Sequence, residues 1–270
     1  MIKLFVCDVD NTLLTHQVGI PQENIDAILT LQENGIIVAL ASGRIIPGMI
    51  DLANRLQLKR YGGYLVASNG ATVISLKDDK VLLDERISLD KLKEITETAK
   101  YLGIYTHVQQ GDDLYYTQEN EVLRYNRDVV GLHVKKHEDM TSALFEAAPK
   151  VEITSWFQSD KKPFDEFVKR YENEYTMIRG HRNFIDLTPL NVTKATGVAV
   201  IMKKHGLIAS EVAAIGDGEN DRHMLKAAGL SATLANADVS LQSEVDHVVA
   251  SVEQAGLSHF AHLVLAKNAN

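Results

Sequence analysis

Near the start of the chain, the apolar run Lys3-Leu4-Phe5-Val6-Cys7 passes directly into Asp8-Val9-Asp10-Asn11-Thr12-Leu13-Leu14. An apolar run this short that ends in polar residues predicts a buried β-strand. In an open α/β sheet, ligands bind at the carboxyl ends of the strands, where this strand would present Asp8 and Asp10. The stretch therefore predicts a strand with a pair of carboxylates at its ligand-binding end.

Two aspartates separated by one residue repel each other, which tends to raise one pKa of such a pair unless a cation lies between them. The pair therefore indicates either a divalent metal site or a shared proton. Mg²⁺ prefers hard oxygen ligands and is held by one or two carboxylates together with phosphate and water. An aspartate can also act as a nucleophile and become an aspartyl-phosphate. This stretch alone leaves open a simpler interpretation, an acidic surface turn after a strand.

The composition limits the class of protein. The 270 residues suffice for one large domain or two moderate ones, and 45% hydrophobic with 24% charged residues is ordinary for a globular protein. The net charge of −8 argues against a nucleic-acid partner, because phosphate backbones need a basic face. The single cysteine, Cys7, excludes an intrachain disulfide and fits a cytoplasmic location. No apolar run is long enough to span a membrane, and we expect no secretory signal.

The first part of the chain alternates strands and helices. Apolar strands are predicted for three segments, 3–7, 36–41 and 64–67. Continuous apolar strands separated by helices are typical of a parallel sheet covered on both faces. The strand ends at Asp8, Ser42 and Ser68 would then share one edge of the sheet.

The pattern changes from about residue 72. A hairpin is predicted first, and short strands and helices then follow without the strand–helix–strand repeat of a parallel sheet. We therefore expect a core domain at 1–84 and 188–270 and an inserted α+β domain at 85–187. Beyond Pro189 the α/β pattern returns, with a helix from about Lys194 to His205 and a strand at 212–215.

That last strand ends in a second acidic cluster, Gly216-Asp217-Gly218-Glu219-Asn220-Asp221. The cluster does not fit a calcium loop of the EF-hand type, because its third position is Glu219 and Arg222 stands where glycine is required. Asp217 could instead complete a Mg²⁺ site that Asp8 and Asp10 begin. A glycine-rich, Asp-capped helix start is the alternative for the cluster by itself.

Two further features suit a bound phosphate. Ser42 and Gly43 supply a hydroxyl and backbone N–H groups near a helix N-terminus. Lys194 stands at the start of a helix, where a cation is mildly unfavourable, so a phosphate oxygen would explain its place. Considered singly, these features favour simpler interpretations, a capped helix with a turn glycine and a solvated lysine.

Taken together, the motifs resemble those of the haloacid dehalogenase (HAD) superfamily. Asp8, Asp10 and Thr12 match its first motif, and Ser42 matches the second. Lys194 matches the third motif, and Asp217 with Asp221 matches the fourth. The strings 68–71 and 216–221 are similar to those of the Cof-type phosphatases, in which a large α+β cap lies between motifs two and three. Asn11 and Ala195 depart from the pattern, since glycine is usual at both positions.

The resemblance implies an α/β fold, a Rossmann-like HAD core with a parallel sheet and an α+β cap that determines substrate specificity. It implies a Mg²⁺-dependent phosphatase that acts on a small phosphorylated metabolite, such as a sugar phosphate, through an aspartyl-phosphate. Asp8 would be the nucleophile and Asp10 the general acid and base. Asp8, the Asp10 main-chain carbonyl and Asp217 would hold Mg²⁺. The implied phosphate or substrate contacts are Val9, Ser42, Gly43, Arg44, Lys194 and Asn220, with Thr12 and Asp221 supporting them.

Two other classes stay open at this point. A phosphomutase or phosphotransferase of the same superfamily shares the core, and a receiver-type phospho-switch shares the acidic pocket, hydroxyl and lysine. The Asp8-x-Asp10 spacing and the insert argue against the receiver. We expect a small-molecule phosphate ester as the partner, no nucleic acid or membrane, and a monomer or weak homo-oligomer. His107, His133 and His181 are candidates for the leaving-group pocket.

Overall fold

The structure is a computed structural model and describes residues 1–15, 17, 19–155, 161–181 and 184–269. In chain order its strands are β1 (Leu4–Cys7), β2 (Ile37–Ala41), β3 (Tyr64–Ala67), β4 (Thr72–Ser75), β5 (Lys80–Asp84), β6 (Tyr105–Gln110), β7 (Asp113–Tyr116), β8 (Val134–Lys136), β9 (Val151–Thr154), β10 (Tyr175–His181), β11 (Phe184–Pro189), β12 (Val212–Ile215), β13 (Leu230–Leu234) and β14 (His247–Val249). Its helices are α1 (Gln22–Glu33), α2 (Pro47–Arg55), α3 (Leu58–Tyr61), α4 (Leu89–Tyr101), α5 (Glu121–Arg124), α6 (Met140–Ala143), α7 (Lys162–Tyr171), α8 (Lys194–His205), α9 (Arg222–Ala227), α10 (Val239–Gln242) and α11 (Gly256–Ala269).

The chain divides into two compact units. Met1–Leu83 and Thr193–Asn270 form the first, and Asp84–Val192 forms the second. The domain boundary predicted between residues 187 and 188 falls inside β11. This strand continues to Pro189 and belongs to the second unit's sheet.

The first unit is built on an eight-stranded sheet in the order β14-β13-β12-β1-β2-β3-β4-β5. β1 lies inside this sheet and pairs in parallel with β12 on one side and β2 on the other. All four of its residues are buried, which explains its uninterrupted apolar sequence. β3 also pairs in parallel with β2, whereas β4 turns back antiparallel to β3.

Two apolar layers cover this sheet, because successive residues of a strand point to opposite faces. Phe5 of β1 packs in one layer with Ile28 of α1 and Phe260 of α11. Val6, the next residue, packs in the other layer with Val198 and other residues of α8 and α9. The sheet is thus buried on both faces, as a parallel sheet requires.

The second unit has a six-stranded sheet in the order β10-β11-β9-β6-β7-β8. Its neighbouring strands pair antiparallel except for β7 and β8, which are parallel. One face of the sheet packs Val151 and Ile153 against apolar residues of α4 and α7. The architecture confirms the predicted fold class, a parallel-stranded α/β core with an inserted α+β unit.

Several elements differ from their predicted bounds. The strand predicted at 3–7 begins one residue later, at Leu4, and the strand predicted at 36–41 begins at Ile37. The elements α5, β8 and α6 had no counterpart in the sequence prediction, because segments of three or four residues are too short to show a periodic pattern. Among the described residues, no helix combines the length and apolarity needed to cross a membrane.

Candidate active site

Four loops meet at one edge of the first unit's sheet. Asp8, Ser42, Ser68 and Gly216 each follow directly after a strand, β1, β2, β3 and β12 respectively. These four strands are parallel neighbours, so their carboxyl ends lie at the same edge. Residues separated by more than two hundred positions in the chain therefore come together there.

A buried lysine joins two carboxylates at this edge. Lys194, the first residue of α8, places its Nζ 2.5 Å from Asp8 Oδ1 and 2.7 Å from Asp221 Oδ1. The Lys194 side chain is fully buried, and both partners are less than a tenth exposed. Burial lowers the pKa of Lys194, but the charges of Asp221 and Asp8 outweigh that effect and raise it above its usual range. Lys194 is therefore charged at neutral pH and acts as a counter-ion at this site.

Negative charge nevertheless remains in excess. Burial, followed by the charge of Asp221, raises the pKa of Asp8 well above its usual range, although Lys194 opposes the shift. Burial and Asp221 likewise raise the pKa of Asp217 to about 6, against the hydrogen bond that Thr12 Oγ1 donates to Asp217 Oδ1 at 2.8 Å. One lysine thus faces three neighbouring carboxylates.

These carboxylates form a set suited to a hard cation. One oxygen from each of Asp8, Asp217 and Asp221 lies within 4.8 Å of the other two. The donors are all carboxylate oxygens, and the raised pKa values of Asp8 and Asp217 indicate charge that a divalent ion would neutralise. The residues therefore fit Mg²⁺. The carboxylate of Asp10 lies outside this set, whereas that of Asp221 lies within it.

The acidic loop after β12 packs closely around the side chain of Asp221. A Cβ atom at Gly216 would lie 2.3 Å from Asp221 Cγ, so a larger residue cannot stand there without displacing Asp221. The Gly218 N–H donates to Asp221 Oδ2 at 3.0 Å. The loop thereby orients one oxygen of Asp221 toward the backbone and leaves the other for Lys194.

The loop after β2 closes on itself and on the next strand end. The Arg44 N–H donates to Ser42 Oγ at 3.1 Å, and the Ser68 N–H donates to the Arg44 carbonyl at 2.8 Å. The Asn69 N–H donates to the Ser42 carbonyl at 2.9 Å. Ser42 and Gly43 are thus held in a fixed loop beside the turn that follows β3.

The turn after β3, formed by Ser68, Asn69 and Gly70, connects several parts of the site. Ser68, Asn69 and Gly70 all have positive φ, at 49°, 54° and 100°. Asn69 Oδ1 accepts a hydrogen bond from Asn220 Nδ2 at 3.1 Å, and a Cβ atom at Gly70 would lie 1.9 Å from the Thr193 carbonyl oxygen. The turn therefore connects the Ser42 loop, the acidic loop and the start of α8. In the sequence, its run of turn-forming residues was the signal from which this turn could have been predicted.

Arg44 binds Asp10 through two hydrogen bonds. Arg44 Nε donates to Asp10 Oδ2 at 2.9 Å and Arg44 Nη2 donates to Asp10 Oδ1 at 2.6 Å. This contact did not follow from the sequence prediction, which placed Arg44 among the phosphate and substrate contacts.

The other residues predicted from the sequence lie at separate places in the structure. Val9, two residues after the end of β1, is fully buried, and Asn11 has a φ of 61°, a conformation that asparagine tolerates at a position where the resemblance leads us to expect glycine. His107 is buried in the second unit, where it contacts Glu152 at 3.1 Å and Asn120 at 3.3 Å. His133 is exposed, and the side chain of His181 lies outside the described part of the chain.

A model of the haloacid dehalogenase-like hydrolases matches residues 5–260. The chain therefore belongs to the haloacid dehalogenase-like hydrolase family.

Similar proteins span the whole chain. YxeH of Bacillus subtilis, a protein provisionally named as a phosphatase, is 27% identical over 272 residues, which cover 99% of this chain and 100% of YxeH. A haloacid dehalogenase-like hydrolase from Bacteroides thetaiotaomicron has the same fold, with a TM-score of 0.88, 23% identity and coverage of 98% of this chain and 100% of that chain. BT4131, a sugar phosphatase of HAD subclass IIB, also has this fold, with a TM-score of 0.82, 20% identity and coverage of 97% and 98%.

The family match and the relatives confirm two predictions from the sequence. The first is the resemblance to HAD hydrolases of the Cof type, and the second is the class of enzyme, a phosphoric monoester hydrolase.

Proposed function

We propose that the protein hydrolyses a small phosphorylated metabolite, a sugar phosphate or a similar ester, in a Mg²⁺-dependent reaction. Asp8 would form an aspartyl-phosphate intermediate. The observation that carries this proposal is the position of Asp8, buried at the end of β1 with Lys194 2.5 Å away and two further carboxylates close by. A buried carboxylate beside a fixed cation can approach a phosphate that a free carboxylate would repel.

In the first step, an oxygen of Asp8 forms a bond to phosphorus as the bond to the ester oxygen breaks. Asp10 gives a proton to that leaving oxygen. In the second step, Asp10 takes a proton from water as the water attacks the aspartyl-phosphate, so inorganic phosphate leaves and Asp8 is restored. The groups that would stabilise the phosphoryl oxygens are the Val9 and Gly43 amides, the Ser42 hydroxyl, Lys194 and Asn220.

Mg²⁺ would be held by Asp8, the Asp10 main-chain carbonyl and Asp217, and when bound it would neutralise charge on the phosphoryl oxygens. Thr12 supports the site by its hydrogen bond to Asp217, and Asp221 supports it by its contact with Lys194. The cluster of carboxylate oxygens from Asp8, Asp217 and Asp221 supports Asp8 and Asp217 as ligands.

The second unit would select the substrate. We propose that this unit, predicted from the sequence at 85–187 and compact over Asp84–Val192, is the specificity domain, and its support is that it stands between Arg44 and Lys194 in the chain, where the family inserts its cap. The fold shared with a sugar phosphatase supports sugar phosphates as the first substrates to test. A cytoplasmic location and a monomeric or weakly oligomeric state stay predictions from the sequence.

The experiment is release of inorganic phosphate from p-nitrophenyl phosphate and a panel of sugar phosphates, with and without Mg²⁺. Asp8→Asn should abolish release, because an amide is not a nucleophile at phosphorus. Asp26→Asn, an exposed position on α1, is the matched control and should keep the wild-type rate. Wild-type turnover in Asp8→Asn would contradict the mechanism. Labelled phosphate that stays on the protein or moves between sugars, with no release, would instead identify a phosphomutase.

A further inference from the structure

The guanidinium group of Arg44 meets the carboxylate of Asp10 edge to edge. Its Nε and Nη2 atoms donate to the two different oxygens of Asp10, at 2.9 and 2.6 Å. Paired contacts of this kind fix the plane and the position of a carboxylate, which a single contact with a lysine does not. The pair therefore constrains where the Asp10 carboxylate can stand.

Arg44 is itself held from several directions. Its Nη1 donates to the Gly48 carbonyl in α2 at 3.1 Å. Its main chain joins the loops after β2 and β3 through Ser42 Oγ and the Ser68 N–H. The Arg44 side chain is 9% exposed and the Asp10 side chain 27% exposed. The arginine is thus part of the rigid framework, whereas the carboxylate that it holds still reaches solvent.

We propose that Arg44 is a positioning residue, which fixes the Asp10 carboxylate at the distance and angle needed for proton transfer with the leaving oxygen. The inference rests on the proposed function, in which Asp10 is the acid and base. Proton transfer requires the two heavy atoms to be within hydrogen-bond reach, and a misplacement of about 1 Å can lower a rate on the order of 100-fold. Arg44 then acts through Asp10 and not through the phosphate, which separates it from Ser42 and Lys194.

The test compares two esters of nearly the same shape, phenyl phosphate and p-nitrophenyl phosphate. Phenolate is the more basic leaving group, so its departure depends more strongly on a proton from Asp10. Because kcat/KM reports the steps up to departure of the leaving group, it is the quantity to measure. Arg44→Lys keeps the charge but not the paired contact. It should lower kcat/KM for both esters, and for phenyl phosphate by about 10-fold more than for p-nitrophenyl phosphate.

A double variant adds a second measurement. In Asp10→Asn, the proton donor is already absent, so Arg44→Lys should no longer change the ratio of the two kcat/KM values. Arg127→Lys is the matched control, since Arg127 makes a similar paired contact with Asp128 on the exposed surface of the second unit, and it should leave the ratio unchanged. If Arg44→Lys does not fold, Arg44→Gln takes its place in both comparisons.

Equal losses for the two esters in Arg44→Lys would overturn the inference, because a residue that contacts the phosphate affects both esters alike. A further change of the ratio in the double variant would overturn it as well. Failure of the proposed function has a different signature: either wild-type protein releases no phosphate from the two esters, or Asp8→Asn keeps its turnover.

Discussion

Lys194 and Asp8 stand 186 positions apart in the chain, and their side chains meet at 2.5 Å in a fully buried contact. Asp221 completes the contact from the other side of Lys194 at 2.7 Å. This lysine is the counter-ion of the site before any ligand binds, so we expect both stability and activity to depend on it.

Lys194→Met should therefore destabilise the protein as well as inactivate it. The change leaves Asp8 and Asp221 buried without their cation, which typically costs about 3–5 kcal/mol. Urea unfolding at pH 7 without Mg²⁺ measures the loss. Lys204→Met, at an exposed position of the same helix α8, is the control and should change the free energy of unfolding by no more than about 0.5 kcal/mol. Equal midpoints for the two variants would show that Lys194 is not the counter-ion described here.

Binding of Mg²⁺ should raise the melting temperature of the wild-type protein. A ligand that binds only the folded state at 100 times its Kd stabilises it by about 2.7 kcal/mol. Asp217→Asn removes one carboxylate of the cluster, so it should remove most of this increase in melting temperature. Differential scanning fluorimetry with and without Mg²⁺ measures the increase. Asp26→Asn should keep the full shift. A shift of the same size in Asp217→Asn would place the bound ion elsewhere.

Gly70→Ala should disturb the active site through the backbone. The new Cβ atom would lie 1.9 Å from the Thr193 carbonyl oxygen, beside the start of the helix that carries Lys194. We expect a loss of about 1–3 kcal/mol in stability and a large loss of phosphatase activity. Gly111→Ala is a matched control, because Gly111 also has a positive φ but a Cβ atom there meets nothing within 4 Å. It should show only the backbone cost, about 1 kcal/mol, and keep full activity.

The second unit contains a buried charge network with a predictable dependence on pH. Lys150 Nζ lies 2.9 Å from Glu152 Oε1 and 3.0 Å from Asp186 Oδ1, and His107 contacts the other oxygen of Glu152. Burial raises the pKa of Glu152, but the charge of Lys150 and the hydrogen bond with His107 outweigh it and lower the pKa to about 2. The usual value is 4.5, so folding favours the ionised form.

The stabilisation from Glu152 is therefore complete above its ordinary pKa and is lost as the pH falls from 4.5 toward 2. Glu152→Gln should cost about 3–5 kcal/mol at pH 7, because it leaves Lys150 with one carboxylate fewer in a buried site. The difference in unfolding free energy between wild type and Glu152→Gln should shrink across that acid range. A difference that stays constant from pH 7 to pH 2 would contradict the assigned ion pair.

Much of the first unit's framework could be predicted, because its strands are buried on both faces and their sequences are uninterrupted apolar runs. The predicted strand at 64–67 coincides with β3, and the one at 36–41 differs from β2 by a single residue. The helices between these strands predicted a parallel arrangement. That arrangement placed Asp8 and Ser42 at the same edge of the sheet.

The contacts of individual side chains could not be predicted in the same way. Arg44 pairs with Asp10 only because the path of the chain between β2 and α2 brings its guanidinium back to the end of β1. Asn69 contacts Asn220 only because three consecutive residues adopt positive φ. Such contacts depend on backbone positions in three dimensions, and hydrophobic periodicity carries no information about them.

The division of the first unit between two distant stretches of chain sets an order of events during synthesis. On the ribosome, Asp84–Val192 emerges as a continuous segment and can fold as soon as it is made. The first unit must wait, because β1 lacks its neighbour β12 until residues 212–215 have emerged. A nascent chain thus carries the predicted nucleophile long before the lysine and the acidic loop that complete its surroundings. We therefore expect no hydrolysis before the acidic loop at 216–221 has emerged.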